Sequence, residues 1–188
     1  MKKKTIIIVV AIVAVVGLLL GFFVGSYNNL VESEENANEK FATVDTMLTR
    51  RADLIPNLVS TVKGYAAHEE EIYTALANAR AKLAGSTTAE ETLEANTQLE
   101  SALSRLLVVV ENYPELKASE QFKSLQDQLE GAENRIATAR KDYNEAVTVY
   151  NKKIRRFPAS LVAGMLGFER KDLYEAPGSD LNAPTVEF

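Results

Sequence analysis

The feature that constrains this chain most is an uncharged apolar stretch, Thr5–Gly25, near its N-terminus. In a helix that rises about 1.5 Å per residue, about 20 residues cross a hydrocarbon core about 30 Å thick. Residues 2–4 are all lysine, and no Lys or Arg follows the stretch until Lys40. By the positive-inside rule, this asymmetry predicts a single-pass membrane protein with a cytoplasmic N-terminus. The rest of the chain would then be extracytoplasmic, in the periplasm or outside the cell.

A cleaved signal peptide is the alternative for this segment. The apolar part of a signal peptide normally has about 7–15 residues and precedes small residues at the cleavage site. Here the run is longer and ends in the bulky side chains of residues 22–24, and Val24-Gly25-Ser26 is a weak cleavage site. The length therefore favours an uncleaved anchor. The absence of Cys excludes a lipoprotein, disulfides and zinc–thiolate sites.

The remainder of the chain is acidic. Without the lysines at 2–4, 18 basic residues remain against 26 acidic ones. Nucleic-acid binding needs clustered Lys and Arg that contact phosphates. We therefore expect no nucleic-acid partner.

Apolar residues after the anchor follow a helical period without interruption. No Pro or Gly occurs between Tyr27 and Ile55, and apolar residues recur there at steps of three, four or seven. The stripe comprises Leu30, Ala37, Phe41, Val44, Leu48 and Ile55. This pattern predicts that the membrane helix continues straight into the first helix of a bundle. Pro56 should kink this helix or end it nearby.

Turn signals divide the following segment into further helices. Gly85 is expected to end one helix, and Thr88 with Glu91 forms a capping-box pattern before the next. Pro114 and Pro158 should close the helices that precede them.

The last long helix has a near-heptad apolar seam. Its residues recur mostly at alternating steps of three and four, as in helical bundles. The seam comprises Phe122, Leu125, Leu129, Ala132, Ile136, Ala139, Tyr143, Val147, Tyr150, Ile154 and Phe157. Since no strand pattern occurs outside the anchor, we predict an all-α fold. It is an N-terminal transmembrane helix that continues into an antiparallel helical bundle of three long helices, one of them broken, plus a short C-terminal helix.

These boundaries divide the chain into four regions. They are a cytoplasmic lysine flank at 1–4, a transmembrane helix at 5–25, an extracytoplasmic helical bundle at 26–168 and a C-terminal tail at 169–188. The Pro and Gly content of the tail is typical of a disordered end. The alternative is that its last residues, Glu187-Phe188, are captured by a carboxylate-binding domain.

Two polar residues, Glu34 and Arg51, fall on the apolar stripe of the first helix. A polar residue in a helical seam commonly specifies register or oligomeric state. A partly buried Arg51 needs an acidic partner, such as Glu34 of a neighbouring chain or Asp53 nearby. We interpret Glu34 and Arg51 as candidate oligomer contacts and expect Arg51→Leu to disturb assembly.

The pairs Tyr143-Asn144 and Tyr150-Asn151 lie seven residues apart on one helix face. A Tyr ring can fill a bundle layer while its hydroxyl reaches the rim, and Asn can fix register through hydrogen bonds. The alternative is a stacked surface for a partner helix. The seam spacing favours the structural role.

His68 is the only histidine, and the run Glu69–Glu71 follows it. One His with adjacent carboxylates does not make the converging ligand set of a metal site. A helix N-terminus, which favours acidic residues, explains the run better. The chain also has no Gly-rich phosphate loop, no G-x-S-x-G and no H-E-x-x-H. We predict no catalytic residues, no cofactor, no metal and no enzymatic activity.

Three ordered blocks of sequence resemble the LemA family. The first block comprises residues 50–59 (RRADLIPNLV), 62–66 (VKGYA) and His68-Glu69, and the second comprises residues 113–118 (YPELKA). The third comprises Ala139-Arg140, the two Tyr-Asn pairs, Ile154, Phe157-Pro158 and then Gly167-Phe168. Phe41 stands where the family often has Trp. The resemblance covers nearly all of the chain and implies an N-terminal anchor, an extracytoplasmic antiparallel helical bundle and no established catalytic activity. Some members are linked to membrane organelles or envelope stress.

Two functions stay open. The first is a self-associating scaffold that organises or shapes the membrane or envelope, because Gly17, Gly21 and Gly25 form overlapping G-x-x-x-G spacings. Gly is also common in membrane helices, so the spacing alone does not decide. The second is an envelope sensor or adaptor that binds a partner protein through the bundle surface or the tail. The expected partners are the lipid bilayer, further copies of the chain and, in the second case, an envelope protein.

Overall fold

The computed structural model describes residues 2–174, without the side chains of Lys2 and Thr5. These residues form seven helices and, within that range, no strand. The helices are α1 (Lys2–Ala52), α2 (Ile55–Lys63), α3 (Glu70–Gly85), α4 (Ala89–Val110), α5 (Pro114–Ala118), α6 (Glu120–Arg155) and α7 (Ala159–Leu166). The predicted all-α fold, with a long apolar first helix and several helices packed together, is confirmed. Most of the predicted tail, including Glu187-Phe188, lies outside the described residues.

Helix α1 runs without a break from the apolar anchor into the amphipathic segment, as the sequence predicts. All side chains between Ile6 and Leu20 are exposed. Within the described residues, this is the one helix long and apolar enough to cross a membrane. Buried positions begin at Leu30 and follow the predicted stripe, except that Phe41 is partly exposed.

Pro56 separates α1 from α2. Helix α1 ends at Ala52, and Pro56 lies in the first turn of α2, where a missing backbone N–H leaves no hydrogen bond unmade. Residues 64–69 form a non-helical connection between α2 and α3. There the hydroxyl of Tyr73 donates a 2.7 Å hydrogen bond to the carbonyl oxygen of Ala66, which ties this connection to α3.

Helices α3 and α4 pack against each other. Gly85 is the last residue of α3, as predicted, and the predicted capping box opens α4. The Thr88 hydroxyl accepts a hydrogen bond of 3.2 Å from the backbone N–H of Glu91. The Glu91 carboxylate accepts from the backbone N–H groups of Thr87 and Thr88, at 2.8 and 3.3 Å. The side chains of Thr88 and Glu91 therefore both accept hydrogen bonds from backbone N–H groups at the start of α4, which have no partner within the helix.

The helix boundaries predicted from the sequence were incomplete at Pro114 and wrong at Phe157. Helix α4 ends before Pro114, but Pro114 also begins the one-turn helix α5, because Pro is favoured at the first helical position. Helix α6 ends at Arg155, so Phe157 lies beyond the helix and is 77% exposed rather than part of the seam. Of the other seam positions, Leu129 and Ile154 are partly exposed and the rest are buried.

The chain divides into two compact units. Unit 1 consists of residues up to Lys40 together with Asn144–Leu173, and unit 2 consists of Phe41–Tyr143 together with the residues from Tyr174 onward. The core of unit 1 comprises Leu30, Val162 and Ala163, with Phe23, Ile154 and Phe168 packed against it. The core of unit 2 includes the fully buried Leu58, Leu76, Leu99, Leu106, Leu116, Phe122 and Ile136.

Gly167 turns the chain at the end of α7. Its φ of 75° lies in the left-handed region, which Gly adopts without steric cost. The backbone N–H of Phe168 then donates to the carbonyl oxygen of Ala163 at 3.1 Å. This cap directs the residues after α7 back onto α6.

Candidate functional site

Unit 2 contains a buried guanidinium, that of Arg51, of which 3% is exposed. Its Nη1 donates to the carboxylates of Glu133 and Glu100, the latter at 3.4 Å. Its Nη2 donates to the side-chain oxygen of Asn96. A charge removed from water needs such partners, because its desolvation is otherwise uncompensated. Arg51 therefore joins the end of α1 to α4 and α6.

The partners of Arg51 differ from those that the sequence suggested. We expected Asp53, or Glu34 of a neighbouring chain. Asp53 is exposed and pairs with Arg80 at 3.5 Å. The guanidinium of Arg51 extends into the interior instead, away from Asp53. Within its own chain, Arg51 pairs with Glu133 and Glu100, and an oligomer contact at Arg51 stays a prediction.

Asn96 lies at the centre of this cluster and is fully buried. Its amide nitrogen donates to Glu100 at 3.0 Å and to the Tyr174 hydroxyl at 2.9 Å, while its oxygen accepts from Arg51. Tyr174 is itself buried. The amide therefore fastens the chain segment at Tyr174 to α4.

Arg140 completes the cluster from α6. It donates to Glu100 at 2.6 Å and lies 3.9 Å from Glu133. Its guanidinium carbon is 4.4 Å from the centroid of the Tyr174 ring, a cation–π distance. The two arginines thus face two glutamates, and their charges balance. We call these six residues the buried ion network: Arg51, Asn96, Glu100, Glu133, Arg140 and Tyr174.

Glu100 is ionised within this network. Burial by itself raises the pKa of Glu100, but hydrogen bonds from Arg140 and Asn96 and the charges of Arg140 and Arg51 outweigh it. The pKa of Glu100 therefore lies below its ordinary value. At neutral pH its carboxylate is a hydrogen-bond acceptor and an ion-pair partner, not a proton donor.

The buried ion network is arranged to hold segments together. Each carboxylate accepts from at least one guanidinium, so neither is placed as a general base beside a nucleophile. Within residues 2–174, the Nε atoms of Arg51 and Arg140 are buried without a hydrogen-bond partner. The cluster connects α1, α4, α6 and Tyr174 within unit 2.

A cleft of about 540 Å³ opens beside this network. Its apolar lining consists of Leu103, Leu107 and Leu129, and its acidic lining consists of Glu100, Glu130 and Glu133. Arg51 lines the cleft as well and, with Arg140, balances Glu100 and Glu133, so Glu130 is the cleft carboxylate outside the buried ion network. The cleft is therefore mainly apolar, with one acidic side chain at its edge.

The remaining candidate oligomer contacts lie in unit 1. The Glu34 carboxylate is 3.3 Å from the Lys171 ammonium, so Glu34 has a partner within its own chain. Gly17, Gly21 and Gly25 are exposed, and apart from the adjacent residues and backbone of α1 itself, no atom of the described chain lies within 4 Å of where their Cβ would be. Their role in assembly stays a prediction.

The two Tyr-Asn pairs occupy different surroundings. The ring of Tyr143 meets that of Phe41 edge-on at 5.5 Å, and Asn144 is partly exposed. The buried Tyr150 donates a 2.8 Å hydrogen bond to the carbonyl oxygen of Glu169. The Asn151 amide donates to the Lys171 carbonyl oxygen at 2.7 Å and accepts from the Lys171 N–H at 3.1 Å. The second pair therefore holds the segment after α7 against α6.

His68 is exposed in the connection between α2 and α3. Among the described residues, no three His, Asp or Glu side chains are grouped to hold a metal ion.

Sequence reasoning singled out Arg51 alone as a site residue and named Arg140 only through the family resemblance. It missed Asn96, Glu100, Glu133 and Tyr174. One signal was available for Asn96, which precedes Leu99 by three residues and so falls on the apolar stripe of α4.

Comparison with known proteins gives a consistent family assignment. The model of the LemA family matches residues 40–188. The magnetosome protein MamQ 2 of Paramagnetospirillum magneticum is 30% identical over 93% of this chain and 73% of its own length. The magnetosome protein MamQ of Magnetospirillum gryphiswaldense is 28% identical over 82% of this chain and 66% of its own. Protein LemA of Metamycoplasma hominis is 24% identical over 86% of this chain and 74% of its own.

Proposed function

This chain belongs to the LemA family, and on that premise we propose that it is a non-enzymatic, membrane-anchored helical scaffold. Its copies would associate through the glycine face of α1 and organise or shape the membrane. The glycine face consists of Gly17, Gly21 and Gly25.

The observation that carries this proposal is the exposed N-terminal part of α1. Its apolar side chains are uncovered, and its glycine face offers open space where another helix can approach closely. In lipid, where apolar burial does not drive helix association, close packing of small residues does. Relatives that are named as magnetosome proteins support a role at a membrane.

The oligomeric state of the full chain in a membrane mimic tests the proposal. We expect a mass above that of the monomer by size exclusion with light scattering. Gly21→Leu should weaken association, because a larger side chain separates the two helices. Leu19→Phe is the matched control, since Leu19 lies about 160° around the helix from Gly21 at about 100° per residue. A monomeric parent chain, or equal effects of the two variants, would contradict a scaffold built on this face.

The cleft beside the buried ion network favours a second function, an envelope sensor or adaptor that binds a partner protein. Its leucines, with Glu130 beside them, suit the apolar face of an amphipathic segment that carries a basic residue. A photo-crosslinking residue at Leu107 distinguishes the two functions in cells. An adaptor yields discrete adducts with another protein at this position, whereas a scaffold that associates through α1 yields none there.

A further inference from the structure

Helix α7 is uncharged and has one uncovered side. The segment from Pro158 to Phe168 contains no charged residue. Val162 and Ala163 are buried with Leu30 of α1. The opposite side presents the large apolar side chains of Leu161 and Met165. Phe157, two residues before α7, and Leu166, its last residue, are exposed as well. A helix that is apolar on all sides normally has all of them covered.

The packing of α7 places it at the edge of the hydrocarbon span. Phe23 lies inside the predicted span of residues 5–25 and packs against the cluster that α7 forms with Leu30. Leu30 follows Gly25 by about 7–8 Å of helical rise. The headgroup region on each side of a bilayer is about 5–8 Å thick. When α1 crosses a bilayer, α7 therefore lies at the depth of the headgroups.

Basic side chains are concentrated in the same unit. Four exposed ones line a cavity of about 630 Å³: Lys152, Arg155, Arg156 and Arg170. Residues 152–172 contain six of the 21 basic residues of the chain and two of its 26 acidic residues. The net charge of the whole chain is -5, so this local excess is opposite in sign to the remainder. Each basic side chain near an anionic bilayer strengthens binding by a factor of about five.

We propose that α7 and these basic residues form a lipid-binding surface. The apolar side of α7 inserts into the boundary between headgroups and acyl chains, as interfacial helices do to a depth of about 5–10 Å. The four basic side chains bind the phosphates of anionic phospholipids. The inference rests on α1 spanning the membrane, which is part of the proposed function, and it does not depend on self-association.

The chain contains no Trp, so a single introduced Trp reports its own surroundings without background. The full chain is reconstituted into vesicles of phosphatidylcholine and phosphatidylglycerol with brominated acyl chains. The reporter on the proposed surface is Met165→Trp. Val16→Trp, in the anchor, reports whether α1 is inserted. Val108→Trp, on α4 of unit 2, is the matched control, because Val108 is exposed nearly as much as Met165, at 69% against 75%.

We expect blue-shifted emission and bromine quenching for Val16→Trp and Met165→Trp, and neither for Val108→Trp. Quenching of Val16→Trp without that of Met165→Trp overturns the lipid-binding surface and leaves the anchor intact. Loss of quenching at both positions overturns the anchor as well. A blue shift at Met165→Trp without quenching shows that a protein covers α7, and equal quenching at Val108→Trp shows that the contact is not specific to α7. Either of these results overturns the proposal.

A second experiment tests whether the basic residues bind the headgroups of anionic lipids. In the Met165→Trp background, we expect brominated phosphatidylglycerol to quench more than brominated phosphatidylcholine. The triple variant Arg155→Gln/Arg156→Gln/Arg170→Gln should lose this preference. The control removes three exposed basic residues of unit 2 with Lys82→Gln/Lys123→Gln/Arg135→Gln and should keep it. A preference that survives the first triple variant, or that both variants lose, overturns the assignment of headgroup binding to these residues.

Discussion

Arg140 donates a 2.6 Å hydrogen bond to Glu100, and this pair joins α6 to α4 within unit 2. The pair also lowers the pKa of Glu100 below its ordinary value despite the opposing effect of burial. In the unfolded chain, where the partners are absent, the pKa of a Glu is about 4.3. A carboxyl whose pKa is lower in the folded state stabilises that state above the unfolded pKa, and the stabilisation is lost as pH falls through the folded pKa.

Acidification should therefore lower the melting temperature partly through Glu100. We expect Glu100→Gln to melt at a lower temperature than the parent chain near neutral pH. The difference should shrink as pH falls below the unfolded pKa of about 4.3 and through the lower pKa of the folded state, because Glu100 then becomes protonated in the parent chain as well. Thermal unfolding followed by circular dichroism measures this, with the exposed Glu130→Gln as the control. A constant difference between Glu100→Gln and the parent chain at every pH would be inconsistent with an ionised Glu100.

Replacing Arg51 should reduce stability. Removal of its guanidinium leaves the side-chain oxygen of the buried Asn96 without its donor and breaks the ion pair with Glu133, while Glu100 keeps Arg140. Breaking a buried ion pair costs about 3–5 kcal/mol. Because Glu133 is about half exposed, we expect a value near the lower end, about 3 kcal/mol, for Arg51→Met. Urea unfolding of the full chain in detergent measures it.

Arg50→Met is the matched control, since Arg50 is the adjacent residue and is exposed. It should change the free energy of unfolding by less than about 0.5 kcal/mol. Equal stability of the two variants would show that the buried ion network contributes little. A change in oligomeric state with unchanged stability would instead support the assembly role that the sequence suggested for Arg51.

The helices were predictable from the sequence because their apolar residues repeat locally. The stripe from Leu30 to Ile55 and the capping box at Thr88 each depend on residues within one or two turns. Helix α5 was missed because five residues are too few to establish a period. Phe157 was misplaced because the periodicity was extended past Arg155, where the helix ends.

The buried ion network was less predictable, because its members come from distant parts of the chain. Arg51 could be recognised in the sequence because it is a charged residue on an apolar stripe. Its partners Glu100 and Glu133 lie on the rims of other stripes, where charged residues are normal. Tyr174 follows the last helix and has no periodic signal at all. Such convergence depends on how helices pack, which the period of a single helix does not encode.

Asn151 should control how firmly the segment after α7 is held. Its side chain makes two hydrogen bonds to the backbone of Lys171, each with a net value of about 1 kcal/mol. Asn151→Ala removes both and should increase the open population of this segment by roughly tenfold or more. Trypsin cleaves after Arg170 and Lys171, so limited proteolysis with mass spectrometry measures this opening directly.

The control for Asn151→Ala is Asn134→Ala, an exposed position on the same helix. It should leave cleavage at Arg170 and Lys171 at the rate of the parent chain. Unchanged cleavage in Asn151→Ala would show that the hydrogen bond from Tyr150 to Glu169 alone is sufficient to hold the segment.

The orientation in the membrane can be tested with single cysteines, because the chain has none of its own. The lysines at 2–4 predict that Lys3→Cys is cytoplasmic and Lys123→Cys, exposed on α6, is extracytoplasmic. A membrane-impermeant maleimide should label Lys123→Cys in intact cells and Lys3→Cys only after permeabilisation. The reverse pattern would invert the topology. A mature chain that carries no label at residue 3 under either condition, and whose N-terminus maps near Tyr27, would show that the segment is a cleaved signal peptide rather than an anchor.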